Sequence, residues 1–161
     1  MKTIQDILVS DPTRTGKASG CIVSLENTYH IVSSHSVADK FRALFLRKGI
    51  LKDYSVVFKF KVTSDTGKVH TVFIKINPDY DLTDWIGNTV QIYCDCQDFK
   101  FRCAYILGQE DALFLNDKIK LSLGASLTDA PKYTSALGLC KHSYAALSWL
   151  VSNYSGLMRF I

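Results

Sequence analysis

Two short runs carry the reactive side chains. Tyr93-Cys94-Asp95-Cys96-Gln97-Asp98-Phe99-Lys100-Phe101-Arg102 offers two thiols one residue apart. Leu139-Cys140-Lys141-His142 offers a thiol and an imidazole at the same spacing. Three sulfurs and one imidazole are a set that a tetrahedral Zn²⁺ accepts, so Cys94, Cys96, Cys140 and His142 are the expected metal ligands. Four protein ligands close the shell and leave no position for a reacting water. The expected role of the ion is therefore structural rather than catalytic. Bound thiolates leave the site with net negative charge, and Lys100, Arg102 and Lys141 stand close enough in sequence to balance it. No nucleophile–base pair or paired carboxylates appear at a convincing spacing, and His30 and His70 lack identifiable partners, so an enzyme is not expected. His30 and His35 read as surface or capped histidines. Gly16-Lys17 lacks the upstream glycine of a P-loop, and no strong strand leads into it.

Such ligands need elements that deliver them. Thr89-Val90-Gln91-Ile92-Tyr93 reads as a strand running straight into Cys94, and a Cys-x-Cys pair at a strand end turns both sulfurs to one side of a tight turn. Cys140–Asn153 reads as a helix with Lys141 and His142 in its first turn and Ala145, Leu147, Trp149, Leu150 and Val151 as apolar positions. A helix N-terminus there favours thiolate over thiol, as the cation itself does. Between the pairs, Asp98 is a candidate cap for a segment holding Phe99, Phe101, Cys103, Tyr105 and Leu107 and ending near Gly108. The rest of that interval is mixed, with turn signals at Asn116-Asp117, Gly124, Ala130-Pro131 and Gly138.

Upstream, Ser55–Val62 alternates, with Val56, Phe58, Phe60 and Val62 on one side. Val69–Ile76 follows after a turn at Thr63–Lys68, which is a strong hairpin signal. Cys21–Leu25 and Tyr29–Ser33 read as a second hairpin around Glu26-Asn27-Thr28. Ser36 opens an expected helix through Val37, Phe41, Leu44 and Phe45 to Gly49. Met1–Ser10 reads as a short helix with Thr3 as N-cap and Asp6 at the favoured end of the dipole. The fold class expected is α+β: a small antiparallel sheet with flanking helices, stapled by zinc. The expected division is 1–54, an N-terminal helix and hairpin region, and 55–161, the zinc-binding domain with a long insertion at 97–139.

Cys94-x-Cys96 followed by Cys140-x-His142, with strands before and a helix after, resembles the SWIM-type zinc finger, a CxC…CxH pattern on a ββα unit. Cys94, Cys96, Asp98, Phe99, Lys100, Phe101, Arg102, Ala104 and Tyr105, with Gly138, Leu139, Cys140, Lys141 and His142, further resemble a group of small bacteriophage virion-associated proteins. The resemblance covers about residues 89–150. It implies a Zn²⁺ cofactor and a non-enzymatic structural role in a virion, at capsid, neck or tail. The implied partners are other virion structural proteins in a multi-copy assembly, after synthesis in a host cytoplasm, with no membrane and no small-molecule substrate. SWIM fingers are also associated with nucleic-acid binding, which is the alternative. Lys100, Arg102, Lys118, Lys120, Lys132 and Lys141 would then meet phosphates, and Phe99, Phe101, Tyr105 and Tyr133 would stack on bases. The interval from Cys96 to Cys140 is longer than in cellular SWIM domains. Cys103 stands where an apolar residue is expected. It either competes for the metal or packs as a small hydrophobe, and the second is preferred because four ligands already complete a shell. Cys21 reads as core for the same reason.

The totals agree with a packed domain. The chain has 161 residues, of which 47% are hydrophobic and 21% charged, which excludes global disorder. Its net charge of +4 permits a nucleic-acid partner without demanding one, and an ordinary soluble surface is the preferred reading. The five cysteines are odd in number and four of them follow residue 93, so they read as thiols of a reducing compartment rather than a disulfide framework. Residues 1–10 mix Ile4, Ile7, Leu8 and Val9 with Gln5 and Asp6, so no signal-peptide core is expected, and no window approaches the ~18 apolar residues of a membrane span.

Overall fold

The computed structural model describes residues 2–9, 18, 20–32, 54–77, 87–131 and 139–157. Four strands form one antiparallel sheet in chain order: β1 (Ile22–Val32), β2 (Tyr54–Thr63), β3 (Val69–Asn77) and β4 (Thr89–Cys94). Helices flank it, so the architecture is α+β. They are α1 (Ile4–Val9), a π-helical turn (Phe99–Cys103) leading into α2 (Ala104–Gln109), α3 (Asp117–Leu123) and the long α4 (Lys141–Leu157). No helix among the described residues is long and apolar enough to cross a membrane.

Alternation in the sequence becomes a buried face. Val56 pairs with Ile76, Phe58 with Ile74 and Phe60 with Val72; on the next strand pair Ile76 meets Val90, Ile74 meets Ile92 and Val72 meets Cys94. Directly paired residues share a face, so these rows make a continuous apolar surface in which every one of them is buried. α4 lies across that surface: it contacts all four strands, Ala146, Leu147 and Leu150 are fully buried, and Trp149 sets its ring edge-on to Phe60 at 5.6 Å. Removing a face of this kind from water is the main stabilising term of the fold.

The β2–β3 turn fixes this register. Ser64 N–H donates to the Lys68 carbonyl at 2.8 Å, Gly67 N–H donates to the Ser64 carbonyl at 2.9 Å, and Gly67 adopts φ +80. Only glycine takes that conformation without cost, so the turn closes at Gly67. The edge of β4 away from β3 is also covered. Val90 N–H donates to the Lys2 carbonyl, Ile92 N–H donates to the Ala112 carbonyl, and Phe114 N–H donates to the Ile92 carbonyl. α1 docks there as Ile4 N–H donates to the Asn88 carbonyl, and the N-cap expected at Thr3 forms, with Asp6 returning the bond: Thr3 Oγ1 accepts from Asp6 N–H, and Asp6 Oδ2 accepts from Thr3 N–H.

The expected hairpin at Glu26-Asn27-Thr28 does not form. Ile22–Val32 is one strand, and the register slips between Leu25 and Asn27 so that Glu26 bulges out. Its carboxylate reaches Lys61 at 2.8 Å and Lys59 at 3.1 Å on β2. Three polar residues that look like a turn are thus tolerated inside a strand because the bulge gives Glu26 two cations across the pairing. The expected boundary after residue 54 follows the first residue of β2, a strand that pairs with β1. In the interval 97–139 the described residues include the π turn, α2 and α3, with Leu113 bridging to β4 between α2 and α3; α3 is capped by the Asn116 side chain accepting from Ile119 N–H at 2.8 Å. The helix expected from Ser36 to Gly49, the Gly16-Lys17 run, His35, Lys132, Tyr133 and Gly138 lie outside the described residues.

Candidate metal centre

β4 ends at Cys94, on the buried face and opposite Val72. The chain turns through Asp95, whose N–H donates to the Thr71 carbonyl at 3.2 Å, and returns Cys96 to the same buried side. From the other end of the chain, Leu139 and Cys140 lead into α4, whose first turn carries His142. The structure brings all four expected ligands together. One ligand atom from each of Cys94, Cys96, Cys140 and His142 lies within 4.8 Å of every other, and all four residues are buried. A tetrahedral ion with bonds of ~2.3 Å needs sulfurs about 3.8 Å apart, so a contraction of at most about 1 Å closes the set around a cation.

Two helical starts point at two of the sulfurs. Phe99 N–H donates to Cys96 Sγ at 3.3 Å, and Ser143 N–H donates to Cys140 Sγ at 3.4 Å. Both cysteines therefore stand three residues before a helical amide that needs a partner, and negative sulfur is the partner that the helix dipole favours. Ser143, fully buried, adds its hydroxyl: Oγ lies 3.2 Å from Cys140 Sγ and donates to the Cys140 carbonyl at 3.1 Å.

The buried sulfurs shift one another's protonation. Burial pushes the Cys94 thiol well above its ordinary value. Sharing a proton with the Cys140 sulfur pushes Cys96 up to about 12. Burial would raise Cys140 too, but the thiols of Cys94 and Cys96 donate to it, outweigh burial, and hold it well below the ordinary range. Three buried sulfurs so close to one another compete for negative charge, and a divalent cation among them would favour the thiolate form of all three. His142 points the same way. The imidazole also favours the Cys140 thiolate, yet neither of its ring nitrogens has a well-aligned hydrogen-bond partner although both are buried. A buried nitrogen left so is costly, and a metal bond removes the cost for one of the two.

The donor set therefore fits a metal ion, and a Cys₃His shell is consistent with zinc. None of the five cysteines is in a disulfide. Cys103 is fully buried and outside the four-atom set, with its thiol 3.8 Å from the Asp98 carbonyl. Cys21 is also outside it, half-buried against the core.

The charge balance differs from the sequence expectation. Arg102 forms a two-pronged bond to Asp98 at 2.7 and 2.8 Å, and Lys100 sits over the Phe101 ring at 5.7 Å. Lys141 remains near the sulfurs and also binds Asp65 at 2.6 Å. The candidate base-stacking residues separate as well. The π turn widens the helix so that Ala104 N–H reaches the Phe99 carbonyl, and Phe99, Cys103, Ala104 and Leu107 all face the core. Phe99 is 0% exposed and cannot meet a base, whereas Phe101 is 65% exposed. Asp98 is not the cap of the π turn, because its own backbone is already helical at φ −60 and ψ −40, and its carboxylate engages Arg102.

Sequence reasoning missed three contributors: Ser143, Asp95 and His70. His70 Nδ1 lies 3.0 Å from Asp95 Oδ1, and its ring lies against that of His142. Ser143, three residues after Cys140, was open to a capping argument; the contact between His70 and His142 had no local signal. Compared with known protein families, with curated proteins and with solved structures, the chain matches none.

Proposed function

We propose that this chain is a non-enzymatic, zinc-stapled structural component of a bacteriophage particle, acting through protein–protein contacts. The observation that carries the structural role is the closed, buried set of Cys94, Cys96, Cys140 and His142. Four protein donors leave a bound ion no open position, so the ion joins elements rather than activates water. The elements joined are distant in sequence: the end of β4 and the start of α4, separated by the interval 97–139. The particle assignment rests on the resemblance of the Cys94–Tyr105 and Gly138–His142 runs to SWIM-like phage proteins. Nucleic-acid binding is the lesser reading. Of its proposed contacts, Phe99 is buried, and Arg102 and Lys141 are held by carboxylates.

Two measurements test this reading. Native mass spectrometry should find one zinc per chain, lost together with the folded near-ultraviolet circular dichroism when a strong chelator is added. The chain should also sediment with assembled particles in fixed stoichiometry. Full structure after zinc removal would refute the staple, and absence from purified particles would refute the assembly role. Binding to DNA that collapses between about 50 and 200 mM salt would favour the nucleic-acid reading instead.

A further inference from the structure

His142 poses a problem of orientation. A ligating imidazole is usually aimed by its second nitrogen, which donates to a carboxylate or a backbone carbonyl. Here neither ring nitrogen of the buried His142 finds such a partner among the described residues. What touches the ring instead is another imidazole. The His70 and His142 centroids are 4.1 Å apart with planes tilted by 33°.

His70 is itself fixed. It stands at the start of β3, paired to Val62 and two residues before Val72, so it continues the buried face towards the ligand loop. Its Nδ1 bonds Asp95 Oδ1 at 3.0 Å, and its side chain is only 13% exposed. Asp95 lies between the two ligand cysteines of the first pair and is tied to β3 a second time through its N–H on the Thr71 carbonyl. A carboxylate flanked by two thiolates is electrostatically unfavourable unless something engages it, and His70 does so. The contacts form an unbroken series: ligand loop, Asp95, His70, His142.

From this series we infer that His70 and Asp95 are positioning residues of the metal centre. Asp95 holds the His70 ring, and the His70 ring holds His142 by stacking in the orientation that ligates a thiophilic divalent cation. The inference deepens the zinc-staple reading and rests on it. It also implies that the spacer of the Cys-x-Cys pair is not interchangeable: Asp95 couples the first ligand pair to the second through His70.

The experiment titrates the full chain with Zn²⁺ and Co²⁺, comparing wild type with His70→Phe, His70→Leu and Asp95→Ala. Wild type should take one Co²⁺ with the intense visible bands of a tetrahedral thiolate site. His70→Phe keeps a flat ring and should hold zinc within about threefold of wild type. His70→Leu fills the space without a ring and should weaken zinc by roughly 10–100-fold, as loss of an orienting partner does. Asp95→Ala should fall between the two. Nitrogen NMR of the zinc form should show a single His142 tautomer in wild type and His70→Phe, and an exchanging ring in His70→Leu. Equal affinity, bands and tautomer in wild type and His70→Leu would overturn the inference while leaving the staple intact. So would a His142→Ala variant that keeps the full four-ligand Co²⁺ spectrum, because His70 would then be the ligand. A wild-type chain that takes up no metal would instead refute the staple.

Discussion

Lys141 Nζ lies 2.6 Å from Asp65 Oδ1, which joins the first turn of α4 to the β2–β3 turn. Lys141 stands between two of the proposed ligands in sequence, yet its closest partner is a carboxylate 76 residues earlier. This ion pair holds Asp65 below, and Lys141 above, their usual protonation ranges. Both groups are solvated, so the pair gains little over water and is screened by salt. Lys141→Ala should leave one zinc per chain and lower the melting temperature slightly, with the drop shrinking in about 1 M salt. Loss of the metal in this variant would show that the ammonium is needed to balance the thiolates.

The same pairing shows how far a sequence can be read. The clustering of Cys94, Cys96, Cys140 and His142 was legible because these residues arrive in local pairs, and each pair ends a strand or starts a helix whose pattern is itself local. The β2–β3 hairpin was legible for the same reason: Val56 through Val62 alternate, and Gly67 marks the turn. What failed depended on partners far along the chain. β1 was read as a hairpin because Glu26-Asn27-Thr28 looks like a turn until Lys59 and Lys61 are placed opposite it. Phe99 and Phe101 looked equivalent until the π turn sent one into the core and the other into water. His70 looked partnerless because both its partners, Asp95 and His142, reach it only through strand pairing and helix docking.

Cys103 separates a packing thiol from a ligand thiol. It is fully buried among core residues and outside the four-atom set. Cys103→Ala should keep one zinc per chain by native mass spectrometry while costing about 1–2 kcal/mol in denaturant unfolding, the expected effect of a small cavity. Cys96→Ala, by contrast, should lose the metal outright. A Cys103→Ala protein with less than one zinc per chain would place that sulfur in the metal centre.

The Glu26 bulge predicts a pH signature. Hydrogen bonds to Lys61 and Lys59 hold the Glu26 carboxyl below its usual range, and the bond to Glu26 holds Lys61 above its own. A raised lysine contributes stability that is fully present below its unfolded value and is lost as pH rises through its folded value. Lys61→Gln should therefore lower the melting temperature at about pH 8, and the gap to wild type should narrow towards about pH 11.5, beyond the ordinary lysine range of about 10.4. Alkaline conditions suit the comparison because they do not protonate zinc-bound thiolates. A gap that is constant, or that widens with pH, would mean the lysine acts through its packed stem instead.

Ser143 tests the helix start as a support of the metal centre. Its N–H and hydroxyl both address Cys140, and its side chain is fully buried. Ser143→Ala keeps the backbone N–H on Cys140 Sγ and deletes only the hydroxyl. The Cys140 carbonyl still accepts from Tyr144 N–H at 3.0 Å, so no acceptor is orphaned there. The loss should then be that of one hydrogen bond beside a charged sulfur, about 1.5 kcal/mol. In kinetics this appears as zinc transfer to a coloured chelator roughly tenfold faster than in wild type, with the Co²⁺ bands shifted but the coordination number unchanged. Transfer at the wild-type rate would show that the amide alone supports the sulfur and that Ser143 is buried there for packing.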